Sequence, residues 1–503
     1  NATAFIDPLM TVGKDGTIYL LVDLFPGSFA INTAPNRPDR TTGFVEINGK
    51  QRMPLYTSIN GQNDSNYTYY IGDFSGGFAP VLEAYDGSAS GFYVDEHYYL
   101  YYGPTKEPTY CPQQGSSAWV KQNVFYYNSI LHVRNATYLW LVTSKDGGET
   151  WSAPTILNPQ IRRTSGTVQF YGVGPGAVEC LDDGTLVLPC YTFQVGGANN
   201  ASQIASFIYS TDNGVTWHRS QDSTDGSHWS SESATVPIDN NTIRHFYRDG
   251  YSTLWYTDHT RSGNGWVAGT PVDTGVPNTS NNQLSVLRYS QPIDGKTAIL
   301  VSTATGSGGS RTNGKIYTFL LNSDNTMNLA YTYVVNDNGA DYVYSSLAEL
   351  KDGSIGLLYE YENNPSAAIT FVNYTIEELT ANVSKDELRT LVREVEAMDE
   401  EGYTAGSWAA LQTALTSAQA VLDKADATAT EISGAVAALK EARSKLEFSG
   451  PPSTVTHLEY IQDTDGIDSG AVYAILTPPA TDAVRRNRIL YHTGNGLTDK
   501  VDT

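Results

Sequence analysis

The chain has 503 residues and a net charge of −23, with charged side chains at only 17%. That balance excludes nucleic acid as a partner, because binding it needs a basic footprint, and admits an anionic ligand only through a local basic pocket. The length predicts two to four domains, and 34 tyrosines, 15 phenylalanines and 45 glycines lean to β structure.

No apolar run approaches a membrane-spanning length, and no signal peptide is visible ahead of the abrupt start at Asn1-Ala2-Thr3. The opening reads as that of a mature or truncated product. Three cysteines are too few for a disulfide scaffold. Cys180 and Cys190 flank Asp182-Asp183-Gly184-Thr185 and either face each other across a hairpin or are two buried thiols, the second being the expectation. Cys111 has no evident partner.

Residues 1–27 read as two strands, Phe5–Met10 and Ile18–Val22, around the turn Lys14-Asp15-Gly16-Thr17. Residues 28–122, rich in Asn, Gly, Tyr and Ser, read as an insertion of short irregular strands. Trp119 and the Tyr98–Tyr102 cluster are either a sugar-stacking surface or, as expected, the insertion's own small core.

Residues 123–376 return to short strands with regular turns. Ser144-Lys145-Asp146-Gly147-Gly148-Glu149-Thr150-Trp151 and Ser210-Thr211-Asp212-Asn213-Gly214-Val215-Thr216-Trp217 share one pattern, S-x-D-x-G-x-T-W, 66 residues apart (144 to 210). Asp caps its own backbone, Gly takes positive φ, and Trp is expected to pack back under the turn. A degenerate copy is expected around Tyr256-Thr257-Asp258 and Trp266. Repeats of this kind imply four-stranded units in a β-propeller.

After residue 377 the composition shifts to Ala, Glu, Leu and Lys, and three amphipathic helices are predicted. Ser384 with Glu387 caps the first, Thr404 the second and Thr428 with Glu431 the third. Their stripes, such as Leu388, Leu391, Val392 and Val395, predict a bundle core. Gly450-Pro451-Pro452 reads as a linker. Residues 455–503 alternate again and read as the beginning of a β domain cut short.

The two octapeptides resemble the Asp-box of sialidases, and Tyr171-Gly172-Val173-Gly174-Pro175-Gly176 is similar to a segment of the secreted bacterial exo-sialidases. The resemblance covers about residues 5–376. Residues 384–446, with Tyr403-Thr404 and Ser407-Trp408, resemble FIVAR modules. The fold implied is mainly β: a six-bladed sialidase-type propeller over 1–376 with its N-terminal part missing and an irregular β domain inserted at 28–122. A three-helix bundle at 380–448 and a partial β segment at 455–503 follow.

The resemblance implies an exo-α-sialidase working outside a bacterial cell, secreted or surface-attached, on sialylated glycans or mucin-type glycoproteins. No cofactor, metal ion, nucleic acid or membrane insertion is expected, and the chain is expected to be a monomer. Sialic acid carries a carboxylate on its anomeric carbon, which repels a carboxylate nucleophile, and sialidases are the known case in which tyrosine attacks instead. A tyrosine needs a base to take its proton. By resemblance Tyr344 is the nucleophile, with Tyr342 the rival register, and Glu232 is its base. Arg248 and Arg311 correspond to the second and third arginines that clamp the substrate carboxylate. Glu360 corresponds to the carboxylate steadying the first.

The first arginine belongs to an Arg-Ile-Pro segment, and the acid/base Asp also precedes the matched region. Neither motif occurs in this sequence. Arg37 and Arg40 lack the Ile-Pro, and Asp7, in a hairpin strand, is not assigned to the site. The chain is therefore expected to lack part of one blade, one clamp arginine and the proton donor. The alternatives are an intramolecular trans-sialidase, a non-catalytic sialic-acid-binding propeller and an adhesive Asp-box propeller. His228 beside Trp229 is expected to line a wall.

Overall fold

The computed structural model describes residues 4–28, 43–59, 62, 65–161, 168–194, 202–224, 229–250, 252–279, 282–336, 339–361, 368–380, 385–424, 427, 429–447, 449, 454–462, 468–477, 488–493 and 496–501. Arg37, Arg40, His228, Ser384 and Thr428 lie outside the described residues. The chain divides into two compact units, residues 1–380 and 381–503.

In the first unit five sheets follow one another in a propeller-like arrangement. The first is ordered Thr155–Ile156, Tyr138–Ser144, Ile18–Phe25, Ala4–Val12, and then Gly176–Glu179, which pairs in parallel. The second runs Val168–Val173, Leu186–Gln194, Ser202–Ser210, His218–Arg219. The third runs Ser230–Asp239, Thr242–Asp249, Thr253–Ser262, Gly265–Ala268, with Val272–Pro277 joining it. The fourth runs Ser285–Arg288, Ala298–Ala304, Gly314–Leu321, Met327–Val334, and the fifth Ser345–Glu349, Ile355–Tyr361, Ala368–Tyr374. Six blades were expected, with the N-terminal part missing; five blade-like sheets are present among the described residues.

The sheets are held face to face by alternating apolar side chains. Leu9, Leu21, Leu139 and Leu141 of the first meet Leu186, Leu188, Ile208 and Trp217. Val187 and Phe207 of the second meet Ile243 and Trp266 of the third. Val236 and Phe246 of the third meet Ile299, Val301 and Phe319 of the fourth, and Leu300 and Ile316 of the fourth meet Leu347, Ile355 and Leu357 of the fifth. The two end sheets are different. Met10 (42% exposed) and Val12 (47%) of the first, and Leu358 (44%), Ile369 (73%) and Phe371 (58%) of the fifth, stand in solvent.

Both octapeptides form the same turn. In the second, the Asp212 carboxylate accepts from the Thr216 N–H at 2.8 Å and its hydroxyl at 2.6 Å. The Ser210 hydroxyl accepts from the Gly214 N–H at 2.8 Å, and the Trp217 indole donates to the Gly214 carbonyl at 3.0 Å. The first repeats these contacts through Asp146, Ser144, Thr150 and Gly148. Trp217 is buried as expected, in the core shared by the first two sheets, whereas Trp151 is 41% exposed. The expected degenerate copy is not formed: Asp258 stands mid-strand and pairs with Arg244 at 2.7 Å, while the turn lies at 262–265 and only Trp266 packs under it.

The Thr216 hydroxyl and N–H hold the Asp212 carboxyl down at about 2, and Thr150 does the same for Asp146. Folded values below the unfolded carboxylate value mean stability that is present above about pH 4 and is lost as pH falls toward 2. The Asp146→Asn/Asp212→Asn double variant is therefore expected to melt below wild type at pH 7 by scanning calorimetry, with the gap closing as pH is lowered.

The insertion is more regular than expected. Seven antiparallel strands are ordered Glu107–Pro108, Leu100–Tyr102, Ala89–Asp95, Phe78–Glu83, Tyr69–Ile71, Pro54–Tyr56, His132–Val133. Its core joins Val81, Val94, Leu100 and Phe125 to Tyr138 of the first sheet. Tyr98 packs against that core, but Trp119 does not enter it and is 66% exposed. None of the three cysteines forms a disulfide; Cys111 and Cys190 are buried and Cys180 half-buried. A short helix, Ile376–Leu379, capped by Thr375 and Glu378, ends this unit.

In the second unit three helices, Lys385–Glu396, Ala405–Asp423 and Ala429–Ser444, share a core of Leu388, Val392, Leu411, Leu415, Ile432 and Leu439. Thr404 caps the second of them, accepting from the Ser407 N–H. Strands Thr454–Gln462, Asp468–Thr477, Arg488–Thr493 and Gly496–Val501 pair in sequence order.

Candidate active site

The site is built on an irregularity of the third sheet. Ser230 pairs with Asp249 and Ser233 with Tyr247, so Ser231 and Glu232 stand against the single residue Arg248. Such a bulge re-aims a side chain that regular alternation would send elsewhere. It turns the Glu232 carboxylate onto Arg248, whose Nη1 donates to Glu232 Oε2 at 2.7 Å. Both are largely buried, with side chains 15% and 8% exposed, so this pair is poorly screened.

Tyr344 reaches the same carboxylate from the fifth sheet, 112 residues on. Its hydroxyl donates to Glu232 Oε1 at 2.5 Å and accepts from Arg248 Nη1 at 3.2 Å. The backbone around it is tied down: Glu360 N–H donates to the Tyr344 carbonyl, Val343 N–H to the Glu360 carbonyl, and the Asn282 amide to the Val343 carbonyl. Alternation along this segment decides between the two tyrosines. Tyr342 points into the core, stacks on Tyr359 at 4.9 Å and bonds Ser302. Gly314 is required beneath it, since a Cβ there would meet the Tyr342 ring at 2.1 Å.

Arg311 completes the side next to Tyr344. Its guanidinium carbon lies 5.3 Å from the Tyr344 ring centre. The loop that carries it is fixed by a bridge from Thr312 to Asp341 and by the Tyr342 N–H donating to the Arg311 carbonyl. Trp229 stands 6.0 Å from the Arg248 guanidinium. Gly174, in the segment Gly172–Gly176, passes so close to the third sheet that a Cβ would lie 2.1 Å from the Ser233 carbonyl, next to Glu232. Only glycine allows that approach.

Asp7, not assigned from the sequence, is part of the site. Register shifts between Ile6 and Leu9, and Asp7 itself sits at φ +53 in the bulge. An Asp-Pro step within an otherwise strand-like run is the signal that marks such a break. Burial pushes the Asp7 carboxyl up to about 7, with Glu232 and Glu360 adding to the rise and Arg248 opposing it. Near Asp7, Asp23 is fully buried, and burial first and the Asp7 charge second hold its carboxyl well above the carboxylate range, with the Val173 N–H opposing. Removing the Asp7 carboxyl, in Asp7→Ala, changes the charge balance around Glu232 and Arg248 and is expected to lower kcat/KM by about tenfold or more in steady-state kinetics.

The Tyr344 hydroxyl is held far above the usual phenol range by burial first and by the Glu232 charge second, with Arg248 opposing. The phenol therefore stays protonated until attack, and its proton has a direct path to Glu232. A phenol nucleophile on a carboxylate base, flanked by two guanidinium groups, suits displacement at a carbon next to an anionic group. Among the described residues no group of three or more His, Cys, Asp or Glu is placed to hold a metal ion.

Residues 119–360 match the BNR repeat-like domain model, and residues 384–447 match the FIVAR domain. The chain is 29% identical over 421 residues to an anhydrosialidase of Macrobdella decora, covering 76% of this chain and 51% of that protein. It is 27% identical over 413 residues to sialidase B of Streptococcus pneumoniae, covering 76% and 54%. A leech intramolecular trans-sialidase solved with 2,7-anhydro-Neu5Ac superposes with a TM-score of 0.64 at 28% identity, over 75% of this chain and 57% of that one. The chain thus spans about half the length of the curated relatives it matches.

Proposed function

We propose that this chain, which carries a BNR repeat-like domain of the sialidase type followed by a FIVAR domain, cleaves terminal α-linked sialic acid from glycoconjugates with retention. The observation that carries this is the Tyr344 hydroxyl on Glu232 with Arg248 bonded to both. Arg248 and Arg311 hold the substrate carboxylate. The Tyr344 oxygen bonds the anomeric carbon, Glu232 takes the phenol proton, and the bond to the leaving sugar breaks. In the second displacement an O–H nucleophile bonds the anomeric carbon and gives its proton to the conjugate base of the leaving-group acid, the bond to the Tyr344 oxygen breaks, and Glu232 returns the proton to that oxygen. Two displacements give net retention.

The reading also asks for a sixth sheet that brings the first clamp arginine and the acid for the leaving oxygen. Its support is the apolar side chains bared on the two end sheets: Met10 and Val12 on one, Leu358, Ile369 and Phe371 on the other. Exposed apolar faces of that kind mark an interaction surface. Glu360, on the face of the fifth sheet that carries Leu358, is the partner for the incoming arginine.

A second reading differs in the second nucleophile. The names of two relatives, the anhydrosialidase of Macrobdella decora and the leech intramolecular trans-sialidase solved with 2,7-anhydro-Neu5Ac, favour attack by the sugar's own hydroxyl in place of water. Mass analysis of the product from 3′-sialyllactose distinguishes them: free sialic acid for hydrolysis, a product one water lighter for internal attack. No release of either sugar by a preparation carrying the sixth sheet sinks both. The place of work proposed is outside the cell, as a secreted or surface-attached enzyme.

A further inference from the structure

We propose that one face of the inserted sheet is an accessory binding surface for acidic glycan chains, with the exposed Trp119 and Tyr110 as stacking platforms, Tyr101 and Phe78 as the partly buried rings that carry the strip onward, and Lys106 as the cation that meets a sugar carboxylate. It starts at the two-stranded ribbon Tyr110–Pro112 and Trp119–Lys121, where Tyr110 pairs with Lys121 and Pro112 with Trp119. Directly opposed residues share a face, as do residues two apart on one strand. Tyr110, Trp119 and Lys121 therefore lie on one side, and Cys111 is buried on the other. Trp119 is 66% exposed and Tyr110 54%.

The strip continues without a break across the main sheet of the insertion. The Lys121 ammonium lies 4.3 Å from the Tyr101 ring centre and donates to its hydroxyl. Tyr101 meets Phe78 edge-on at 5.0 Å, and the Lys106 ammonium stands 4.3 Å over Phe78. The two cations differ. Lys121 faces the Asp95 carboxylate at 3.6 Å. Lys106 forms no ion pair among the described residues and lies against aromatic rings alone.

The chemistry of that strip selects its ligand. A pyranose ring presents an apolar face of C–H bonds that stacks on an aromatic ring, while its hydroxyls stay in water. Two exposed rings side by side, Trp119 and Tyr110, suit a chain of such units better than a peptide, which would need paired backbone groups or pockets. A cation not cancelled by a carboxylate, in a chain of net charge −23, is complementary to an anionic sugar. That the acidic sugar is sialic acid rests on the function proposed above; the surface itself does not.

The test uses the full chain carrying Tyr344→Phe, so that bound glycan is not consumed, and reads its binding to immobilised sialylated mucin and to the same mucin desialylated by mild acid. Trp119→Ala and Lys106→Ala are each expected to weaken binding to sialylated mucin by about tenfold or more, the loss typical of a central aromatic or charged contact. Trp119→Phe, which keeps a stacking ring, is expected to retain most of it, which separates stacking from misfolding. Desialylated mucin is expected to bind the parent as weakly as sialylated mucin binds Lys106→Ala. Unchanged binding in both alanine variants, or equal binding of the two mucins, overturns the proposal. A parallel assay on an aryl sialoside, with Tyr344 present, keeps the two ideas apart: KM for that small substrate is expected to be unaffected by Trp119→Ala. Mucin binding that depends on Trp119 without turnover sinks the enzymatic reading alone.

Discussion

Tyr344→Phe is expected to lower kcat/KM for an aryl sialoside by at least about 10³-fold, on the scale seen when a covalent nucleophile is removed, while substrate still binds. The ring and its contact with Arg311 stay in place; only the hydroxyl on Glu232 is lost. Because the phenol is held protonated by burial and by Glu232, no preformed phenolate supplies the rate. Glu232→Gln is therefore expected to fail as well, by about 10²–10⁴-fold, the usual worth of a positioned base. The two losses should not add, since each removes the same proton-coupled attack. Steady-state kinetics on the two single variants and the double variant checks this. A double variant below wild type by the full product of the two losses contradicts a shared step.

Arg248→Ala is expected to damage both turnover and folding. One guanidinium nitrogen bonds both Glu232 and Tyr344, so its loss leaves a buried carboxylate facing only a phenol. Breaking one side of a buried ion pair costs about 3–5 kcal/mol, and the melting temperature should fall visibly. The loss of carboxylate binding and of transition-state charge stabilisation should lower kcat/KM by a further 10²–10³-fold or so. Arg248→Lys separates the effects. It restores a positive charge and most of the melting temperature, but not the planar two-nitrogen donor that fits a carboxylate. A KM as low as wild type in Arg248→Lys would mean that the substrate carboxylate is held elsewhere.

Residue types and local order carried much of this site. Ser231-Glu232-Ser233, the arginine before Asp249-Gly250 and the tyrosine before Ser345-Ser346 are visible in the linear chain, and the structure brings Glu232, Arg248, Tyr344 and Arg311 together. Periodicity alone does not reveal which way each points. The Ser231–Glu232 bulge aims the carboxylate at Arg248, and alternation along Tyr342–Tyr344 buries one tyrosine and presents the other. Asp7 was passed over because a strand pattern was read straight through an Asp-Pro bulge. Trp119 was read as core because its ribbon pairs only three residues on each strand, too few for alternation to show which face is open. The insertion looked irregular for the same reason: most of its strands are only two or three residues long. The caps and stripes of the helical bundle were easier to read, because a period near 3.6 over 12 to 19 residues leaves little ambiguity.

The most direct test of the central claim, attack by Tyr344 on the anomeric carbon, is to trap the intermediate. A sialyl donor with fluorine beside the anomeric carbon and a good leaving group destabilises the second displacement and lets the covalent species accumulate. Peptide mass spectrometry after incubation with a turnover-competent preparation should place the sugar on the peptide containing Tyr344, and Tyr344→Phe should carry none. A sugar found on Glu232 or Asp7, or turnover with no trapped species at all, would contradict the account.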